Sequence, residues 1–392
     1  MSARAFKKNR SDPAGGGPAA LYVHIPFCAA KCRYCDFYSV PFHAGQADGF
    51  VRAVLRELEL EAPRLAAPLA SAFLGGGTPT VLGRRRLAEL LTAVRPLLGP
   101  GTEFSIEANP ATVDGELAEC LLAQGVNRVN LGVQSFVDED LRVLGRLHDA
   151  PAARQAFGLF RSAGFANIGL DLIYGIPGQT PASWRTTLFE ALELGAEHLS
   201  CYALSFEAGT PLAADLRSGR VGEMPDALQR ECYCAAIDAA ASAGLEQYEI
   251  SNFARPHRQC RHNLTYWHNE PYLGLGPGAT SYVGGTRSTN APDLESYLLG
   301  TPGPGAAARQ QERLTGRAAM AEALMLGLRL TEGVDRQAFL ARYGQDPALA
   351  FCRTFERYCR LGAVRVEATC IRIARDYLFV ANSILADLLA EA

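Results

Sequence analysis

Cys28, Cys32 and Cys35 place three thiols within eight residues, in the run Cys28-Ala-Ala-Lys-Cys32-Arg-Tyr-Cys35, and no fourth cysteine follows nearby. Thiolates are the usual ligands of iron–sulfur clusters, and a cubane has four irons to satisfy. Three cysteines therefore leave one iron open to a substrate or cofactor, which turns a cluster from an electron carrier into a reagent. A zinc ribbon would need paired CxxC knuckles or a Cys/His set, and only this triplet is present. Core cysteines on a buried helix are the other reading, but Lys31, Arg33 and Asp36 interleave them and Pro26 lies just upstream.

The residues around the triplet carry a resemblance. Tyr22-Val-His-Ile-Pro-Phe-Cys28, running into Cys32 and Tyr34-Cys35-Asp36-Phe37, is similar to the signature of the radical S-adenosylmethionine (SAM) superfamily. Within it, the stretch resembles the coproporphyrinogen-oxidase-like branch that includes HemN and the heme chaperone HemW, and is closer to the HemW side. The resemblance runs from about Leu21 to the C-terminus. It implies a [4Fe–4S] cluster on Cys28, Cys32 and Cys35, with SAM chelating the open iron through its amino and carboxylate groups. One electron then cleaves the sulfonium to give a 5′-deoxyadenosyl radical. The cofactor carries that chemistry, while the protein orients and dries the site.

Composition bounds the class. The chain has 392 residues, 48% of them hydrophobic and 20% charged, enough for one large domain and a small one. A net charge of -3 gives no electrostatic case for nucleic acid. Eleven cysteines in a chain of this length do not form a disulfide-scaffold pattern, and a cluster requires reduced thiols. No apolar run approaches the ~18 residues of a membrane span. The stretch from Met1 to Ala19 is basic and rich in Gly and Pro, and lacks the apolar core of a secretion signal. It reads as a disordered tail on a cytoplasmic protein; a mitochondrial presequence is the minor alternative, since the first eleven residues contain no acid.

These residues must be positioned by the elements between them. Short apolar strands are expected at Leu21–Ile25, Ala72–Leu74, Phe104–Glu107, Arg128–Val133, Ile168–Ile173, His198–Ala203 and Gln247–Ile250. Amphipathic helices are expected at Phe50–Leu60, Arg86–Leu97, Glu116–Gln124 and Ala152–Ala163, several ending at a glycine such as Gly125 or Gly164. Repeated βα units imply a parallel sheet. The pattern alone leaves a partial barrel and an open doubly wound sheet equally open. The family resemblance implies the former, an α/β fold built as an incomplete (βα)6 TIM-like barrel with function on the loops after the strands. The division expected is a tail at 1–19, a radical SAM core at 20–285, a linker at 286–312 and a C-terminal domain at 313–392.

The remaining motifs fall at the strand ends. Gly75-Gly76-Gly77-Thr78 follows the second strand and would be an ordinary turn if it stood alone. The resemblance assigns Gly76, Gly77 and Thr78 to the SAM amino group, Glu107 to the ribose hydroxyls, and Tyr22 and Tyr34 to the methionine and adenine moieties. Gln134, Arg146 and Asp171 match positions that contact a second SAM in HemN-like proteins. An Arg146–Asp171 ion pair would satisfy the same buried charges without one. Further on, Cys260-Arg-His262-Asn-Leu-Thr-Tyr266-Trp267-His268 resembles the HNxxYW motif of HemW. Imidazole is a common ligand of heme iron and aromatic rings suit a macrocycle, so His262, Tyr266 and Trp267 are the expected heme contacts, with Cys260 and His268 as rival ligands.

After the Gly/Pro-rich stretch at Gly300–Gly305, helices are expected at Arg317–Leu330, Arg336–Tyr343 and Ala348–Leu361, then a hairpin of Val364–Val366 against Ile371–Ile373 and a last helix Leu378–Leu389. This resembles the HemN C-terminal domain. The eight cysteines outside the triplet are expected to be buried thiols. Two functions of different kind compete. One is a heme chaperone that hands heme to acceptor proteins; the other is oxygen-independent coproporphyrinogen III oxidase. A heme-degrading radical methyltransferase of the same branch is a third. Phe37 stands where HemN-type sequences carry a further cysteine, the tail does not resemble the longer HemN extension, and the His262–Trp267 motif belongs to the HemW side, so the expectation is a chaperone without oxidase activity. The resemblance also implies a flavodoxin- or ferredoxin-type electron donor, and it is compatible with contact at a membrane surface and with a dimer.

Overall fold

The computed structural model describes residues 17–300 and 309–392. Most of the expected tail, and the Gly/Pro centre of the expected linker, lie outside the described residues.

Six parallel strands stand side by side in chain order: β1 (Ala20–Ile25), β2 (Ser71–Gly76), β3 (Glu103–Ala108), β4 (Arg128–Gln134), β5 (Ile168–Tyr174) and β6 (His198–Ala203). Three shorter strands extend the row to nine. β7 (Glu246–Gln247) and β8 (Asn252–Ala254) follow β6 in antiparallel pairing, and β9 (Leu273–Leu275) runs parallel to β1 on the other edge. The two edges do not pair, so the barrel is incomplete, as expected. Of the predicted strand Gln247–Ile250 only Gln247 lies in a strand, β7; the chain turns at Glu249, whose side chain accepts the Ser251 N–H at 3.0 Å, and pairs again only at Asn252 in β8.

Helices α1 (Ala44–Glu61), α2 (Gly83–Val94), α3 (Gly115–Ala123), α4 (Asp138–Leu144), α5 (Ala150–Ala163), α6 (Pro181–Glu193), α7 (Pro211–Arg217) and α8 (Asp226–Ser242) lie between these strands. α1 buries Ala47, Phe50, Val51, Val54 and Leu58, the i, i+3, i+4 stripe of a helix on a sheet. Asp114 and Asp149 cap α3 and α5 by accepting the Leu117 and Ala152 N–H groups. Gly164 ends α5 at φ 108, a conformation that a Cβ would disfavour.

One face of every strand packs Leu21, Leu74, Ile106, Val129, Leu170 and similar side chains against the helices. The other face looks into the barrel and is largely polar. Along neighbouring strands it presents Tyr22, Phe73, Ser105 and Arg128 in one register row, and Gly132, Asp171, Ser200 and Asn252 in another. Complete TIM barrels fill this space with branched aliphatics.

A short helix α9 (Arg261–Trp267) precedes β9, and a three-stranded sheet of β10 (Thr280–Val283), β11 (Thr286–Asn290) and β12 (Arg309–Arg313) follows it. The segment 286–312, expected as a linker, thus contains β11, most of β12 and the helix α10 (Leu294–Leu299). The C-terminal helices are α11 (Gly316–Gly327), α12 (Arg336–Tyr343), α13 (Pro347–Ala350), α14 (Cys352–Arg360) and α15 (Ala381–Ala390). The predicted helix Ala348–Leu361 breaks at Phe351, whose backbone leaves the helical region at φ -123, ψ 45. β13 (Val334–Asp335) adds a third strand to the hairpin of β14 (Val364–Val366) and β15 (Cys370–Ile373). Of the eight cysteines outside the triplet only Cys201, Cys232 and Cys260 are buried; Cys234, Cys352 and Cys359 are exposed. On short amphipathic helices a thiol is small enough to sit on either face.

Candidate functional site

The triplet loop leaves the end of β1 and is stapled at its base. Phe27–Cys28 pairs with Val40–Pro41, the Val40 N–H donates to Pro26 O at 2.7 Å, and Phe42 N–H donates to Cys28 O at 2.9 Å. The tip is pinned by other strand-end loops: Arg33 N–H donates to Leu144 O at 3.0 Å and Leu212 N–H to Arg33 O at 2.9 Å. The Arg33 guanidinium pairs with Asp215, which also takes Arg220. The loop is therefore fixed by the ends of α4 and α7 as well as by β1.

Cys28 is 9% exposed, while Cys32 and Cys35 are half-buried, and all three are free thiols. Arg146 Nη1 lies 3.2 Å from Cys32 Sγ, and Thr78 Oγ1 lies 3.7 Å from Cys28 Sγ. Among the described residues no three His, Cys, Asp or Glu side chains converge on a point for a single metal ion. A cubane does not require that, because each thiolate binds a different iron. The glycine loop supports the fit. A Cβ on Gly77 would lie 2.6 Å from Phe27 O and 3.0 Å from Cys28 Sγ, so only glycine lets this turn sit against the sulfur. Gly76 has φ 115, and a Cβ there would strike the His24 ring at 2.6 Å.

Glu107, at the end of β3, accepts the Gly76 N–H at 3.0 Å and so ties the glycine loop to the barrel. Burial, reinforced by the nearby Asp171 carboxylate, pushes the Glu107 carboxyl up to about 8. Burial also raises Asp171 above the usual carboxylate range, against hydrogen bonds from Ser200 and Asn130. Asn130 Nδ2 donates to Asp171 Oδ1 at 2.6 Å. The direct Arg146–Asp171 ion pair is not formed. Arg146 reaches Gly132 O at 2.5 Å and Cys32 instead, and its buried Nε has no partner. Gln134 is buried at a bulge in β4 with φ 71, an uncommon conformation for a residue with a Cβ. Tyr34 packs against Leu144, Ile173, Ile176, Leu204 and Leu212, so its ring wall is built by several strand-end loops together.

The predicted cluster and SAM residues thus come together at the C-terminal mouth of the barrel. Tyr22 sits deeper, with its hydroxyl 3.1 Å from His24 Nδ1. His24 Nε2 donates to Tyr38 O at 2.9 Å, which links β1 to the far side of the triplet loop. His24 was not anticipated as a site residue, nor were Asn130 and Arg128. The missed signal was present in the strands: Arg128, Asn130, Gly132 and Gln134 alternate with Val129, Leu131 and Val133. Parallel strands buried on both faces usually read as continuous apolar runs, so this alternation marks a polar interior.

The His262 motif lies elsewhere. α9 closes the barrel floor: Glu103, the first residue of β3, accepts the Arg261 and His262 N–H groups at 2.9 and 3.1 Å. His262 is 1% exposed. Its Nδ1 is 2.9 Å from Ser71 Oγ and its Nε2 is 2.8 Å from Tyr266 Oη. The ring stacks on Phe73 at 5.2 Å. Burial, with Arg128 nearby, pushes the imidazole down to about 3. Both nitrogens are occupied, so the expected heme ligation by His262 does not hold in this conformation. Cys260 is buried against Glu103, and Trp267 lies under the Arg329 guanidinium. His268 lies 3.6 Å from Glu332.

Comparison with known proteins agrees with this architecture. The radical SAM superfamily model matches residues 22–191, and the HemN C-terminal domain model matches residues 314–375. The chain is 34% identical to the heme chaperone HemW of Bacillus subtilis, over 95% of this chain and 99% of that protein. It is 38% identical to HemW of Escherichia coli over 68% of this chain and 70% of that protein. It is also 34% identical to the bovine mitochondrial protein called radical S-adenosyl methionine domain-containing protein 1, over 84% of this chain and 77% of the other. Among solved structures, coproporphyrinogen III oxidase (HemN) from Escherichia coli superposes with a TM-score of 0.82 at 24% identity, covering 97% of this chain and 92% of that one, a likeness of fold. A glycine-cradled cysteine triplet at the mouth of a six-stranded parallel barrel, joined to 34% identity with Bacillus subtilis HemW over 95% of the chain, places this chain in the HemW family of radical SAM proteins.

Proposed function

We propose that this chain is a heme chaperone that retains a radical SAM site. The observation that carries the reading is the likeness, over 95% of the chain, to a protein named heme chaperone HemW. Phe37 supports it: the residue is 66% exposed beside the triplet, where an oxidase of the branch would carry a further cysteine.

In this reading Cys28, Cys32 and Cys35 hold the [4Fe–4S] cluster. When bound, the cluster supplies a single electron to SAM at its open iron. The protein's own part is positional. Gly76, Gly77 and Thr78 line the approach to Cys28, and Glu107 offers the carboxyl oxygen not engaged by Gly76 N–H to the ribose hydroxyls. Tyr34 closes the apolar wall, and Arg146 bonds Cys32 through its Nη1. Gln134, Arg146 and Asp171 serve as a polar network around the same mouth. Heme is cargo, passed on to acceptor proteins. The protein works in the cytoplasm and takes electrons from a flavodoxin- or ferredoxin-type donor. Among the described residues no helix is long and apolar enough to cross a membrane.

One sample tests the proposal. The cluster is reconstituted anaerobically, then hemin binding, heme transfer to an apo-hemoprotein and coproporphyrinogen III turnover are measured side by side. Binding and transfer without vinyl product are expected; protoporphyrinogen formation, or no hemin binding, overturns the reading.

A further inference from the structure

The end of β4 is held by a single short loop. Gly145-Arg146-Leu147-His148 joins α4 to α5, and in it Leu147 is exposed while Arg146 and His148 turn in on the strand. Arg146 Nη2 donates to Gly132 O at 2.5 Å and His148 Nε2 to Val133 O at 3.0 Å, so the loop holds two consecutive carbonyls. Val133 is the residue that the β4–β5 register skips, between Gly132 opposite Asp171 and Gln134 opposite Leu172. Gln134 follows at φ 71, a conformation kept only where the surroundings enforce it. A Cβ on Gly132 would lie 3.0 Å from Gln134 Nε2 and 3.6 Å from Arg146 Nη2. The bulge thus folds both side chains over one glycine.

The partner fixes the chemistry of His148. A carbonyl only accepts, so Nε2 carries the proton and Nδ1 is a bare lone pair. His148 is 6% exposed, and that Nδ1 is buried without a partner. Burial, with the Arg146 charge beside it, pushes the imidazole down to about 4, so the neutral donor is the form present at neutral pH. A leucine would fill the space without burying a bare acceptor; what histidine supplies is the donor to Val133 O. The loop ends are anchored separately. Arg146 N–H donates to Leu141 O at 2.9 Å, Ala150 N–H to Asp138 Oδ1 at 2.8 Å, and Asp149 caps α5. The His148 bond therefore sets how far the middle of the loop stands from β4. Arg146 spans that same gap, because its other arm, Nη1, lies 3.2 Å from Cys32 Sγ. Its guanidinium is planar and rigid, so a loop that drifts from β4 pulls one arm or the other out of reach.

We propose that His148 is a positioning residue for the cysteine triplet: by holding Val133 O it fixes the bulge of β4 against the loop and keeps the Arg146 guanidinium on Cys32. The inference rests on the assignment of a cluster to the triplet. Hydrogen bonds to the sulfurs help to set the reduction potential of an iron–sulfur cluster, which makes the position of Arg146 measurable. A donor at sulfur stabilises the reduced, more negative cluster, so its loss moves the potential to more negative values.

The test is the midpoint potential of the cluster in the reconstituted full chain. Wild type, His148→Leu, Arg146→Met and the double variant form a cycle that tells two residues acting as one from two acting apart. Both single variants are expected to move the potential to more negative values, and the double variant no further than Arg146→Met. His148→Gln, whose amide can donate to Val133 O, should restore the wild-type potential. Circular dichroism melts confirm that the variants fold; if His148→Leu does not, His148→Asn, too short to reach Val133 O, takes its place. An unmoved potential in the folded His148 variant, or shifts that add in the double variant, overturns the inference and leaves the cluster assignment standing. A wild type that takes up no cluster overturns both.

Discussion

The two ends of the barrel use the same kinds of side chain to opposite ends. At the mouth, Cys28, Cys32, Cys35, Arg146 and Glu107 project from loops and strand ends with bonding capacity left over, such as the unpartnered Nε of Arg146. At the floor, Cys260, His262, Tyr266 and Glu103 bond one another and the N-terminal end of α9. In a parallel barrel the loops after the strands converge on an open bowl, while the strand starts are available to be plugged. Residue type nominates a chemical group; strand polarity decides whether it meets a ligand or a neighbour.

Replacing one cysteine of the triplet should show this difference most strongly. Cys32→Ala is expected to abolish the broad visible absorption and iron content of reconstituted protein, whereas Cys260→Ala should leave both intact. Equal loss in the two variants would erase the distinction between mouth and floor.

The next largest effect is expected at the floor. Glu103→Ala removes the acceptor for two N–H groups of α9 and a negative charge near the fully buried Arg128. Leaving a buried charge uncompensated costs about 3–5 kcal/mol, which urea denaturation of the apo-protein would read. A cost below about 1 kcal/mol would mean that water reaches the floor.

His262→Ala should cost about 1–3 kcal/mol through the bonds lost to Ser71 and Tyr266. It should leave the hemin spectrum of the folded protein unchanged. A lost Soret band would show that α9 leaves the floor to meet heme. The same residue predicts a pH dependence. Its folded value of about 3 lies below the unfolded 6.5, so the unfolded chain takes the proton first as pH falls. The stability that His262 contributes is present above pH 6.5 and is lost progressively down to about 3. His262→Gln should flatten that part of the stability profile.

At the mouth, Glu107→Gln is expected to weaken SAM by about 1–3 kcal/mol above pH 8, where the carboxyl is ionised, the range for a charge-assisted hydrogen bond. Equilibrium dialysis would measure it, and unchanged affinity would make Glu107 only the tether of Gly76. The smaller effect has the opposite pH sign to that of His262. Because burial raises Glu107 from 4.5 to about 8, its contribution to apo stability is complete below 4.5 and is lost as pH rises through 8. The Gln variant should therefore gain on wild type in alkaline denaturation.

The sequence by itself determined what depends on local spacing. The triplet, the glycine turn and Glu107 all lie within a few residues of strand ends, so their convergence follows once the strands are parallel. The six barrel strands were legible for the same reason, as were the helices bounded by Asp114, Asp149, Gly125 and Gly164. Only the tertiary structure decided which end of the barrel α9 occupies, because its acceptor Glu103 lies 158 and 159 residues away from the groups it bonds. It likewise decided that Arg146 turns to Cys32 instead of Asp171 and that the expected linker forms strands. Each of these depends on a partner distant in the chain, and a sequence lists such partners without saying which of them will meet.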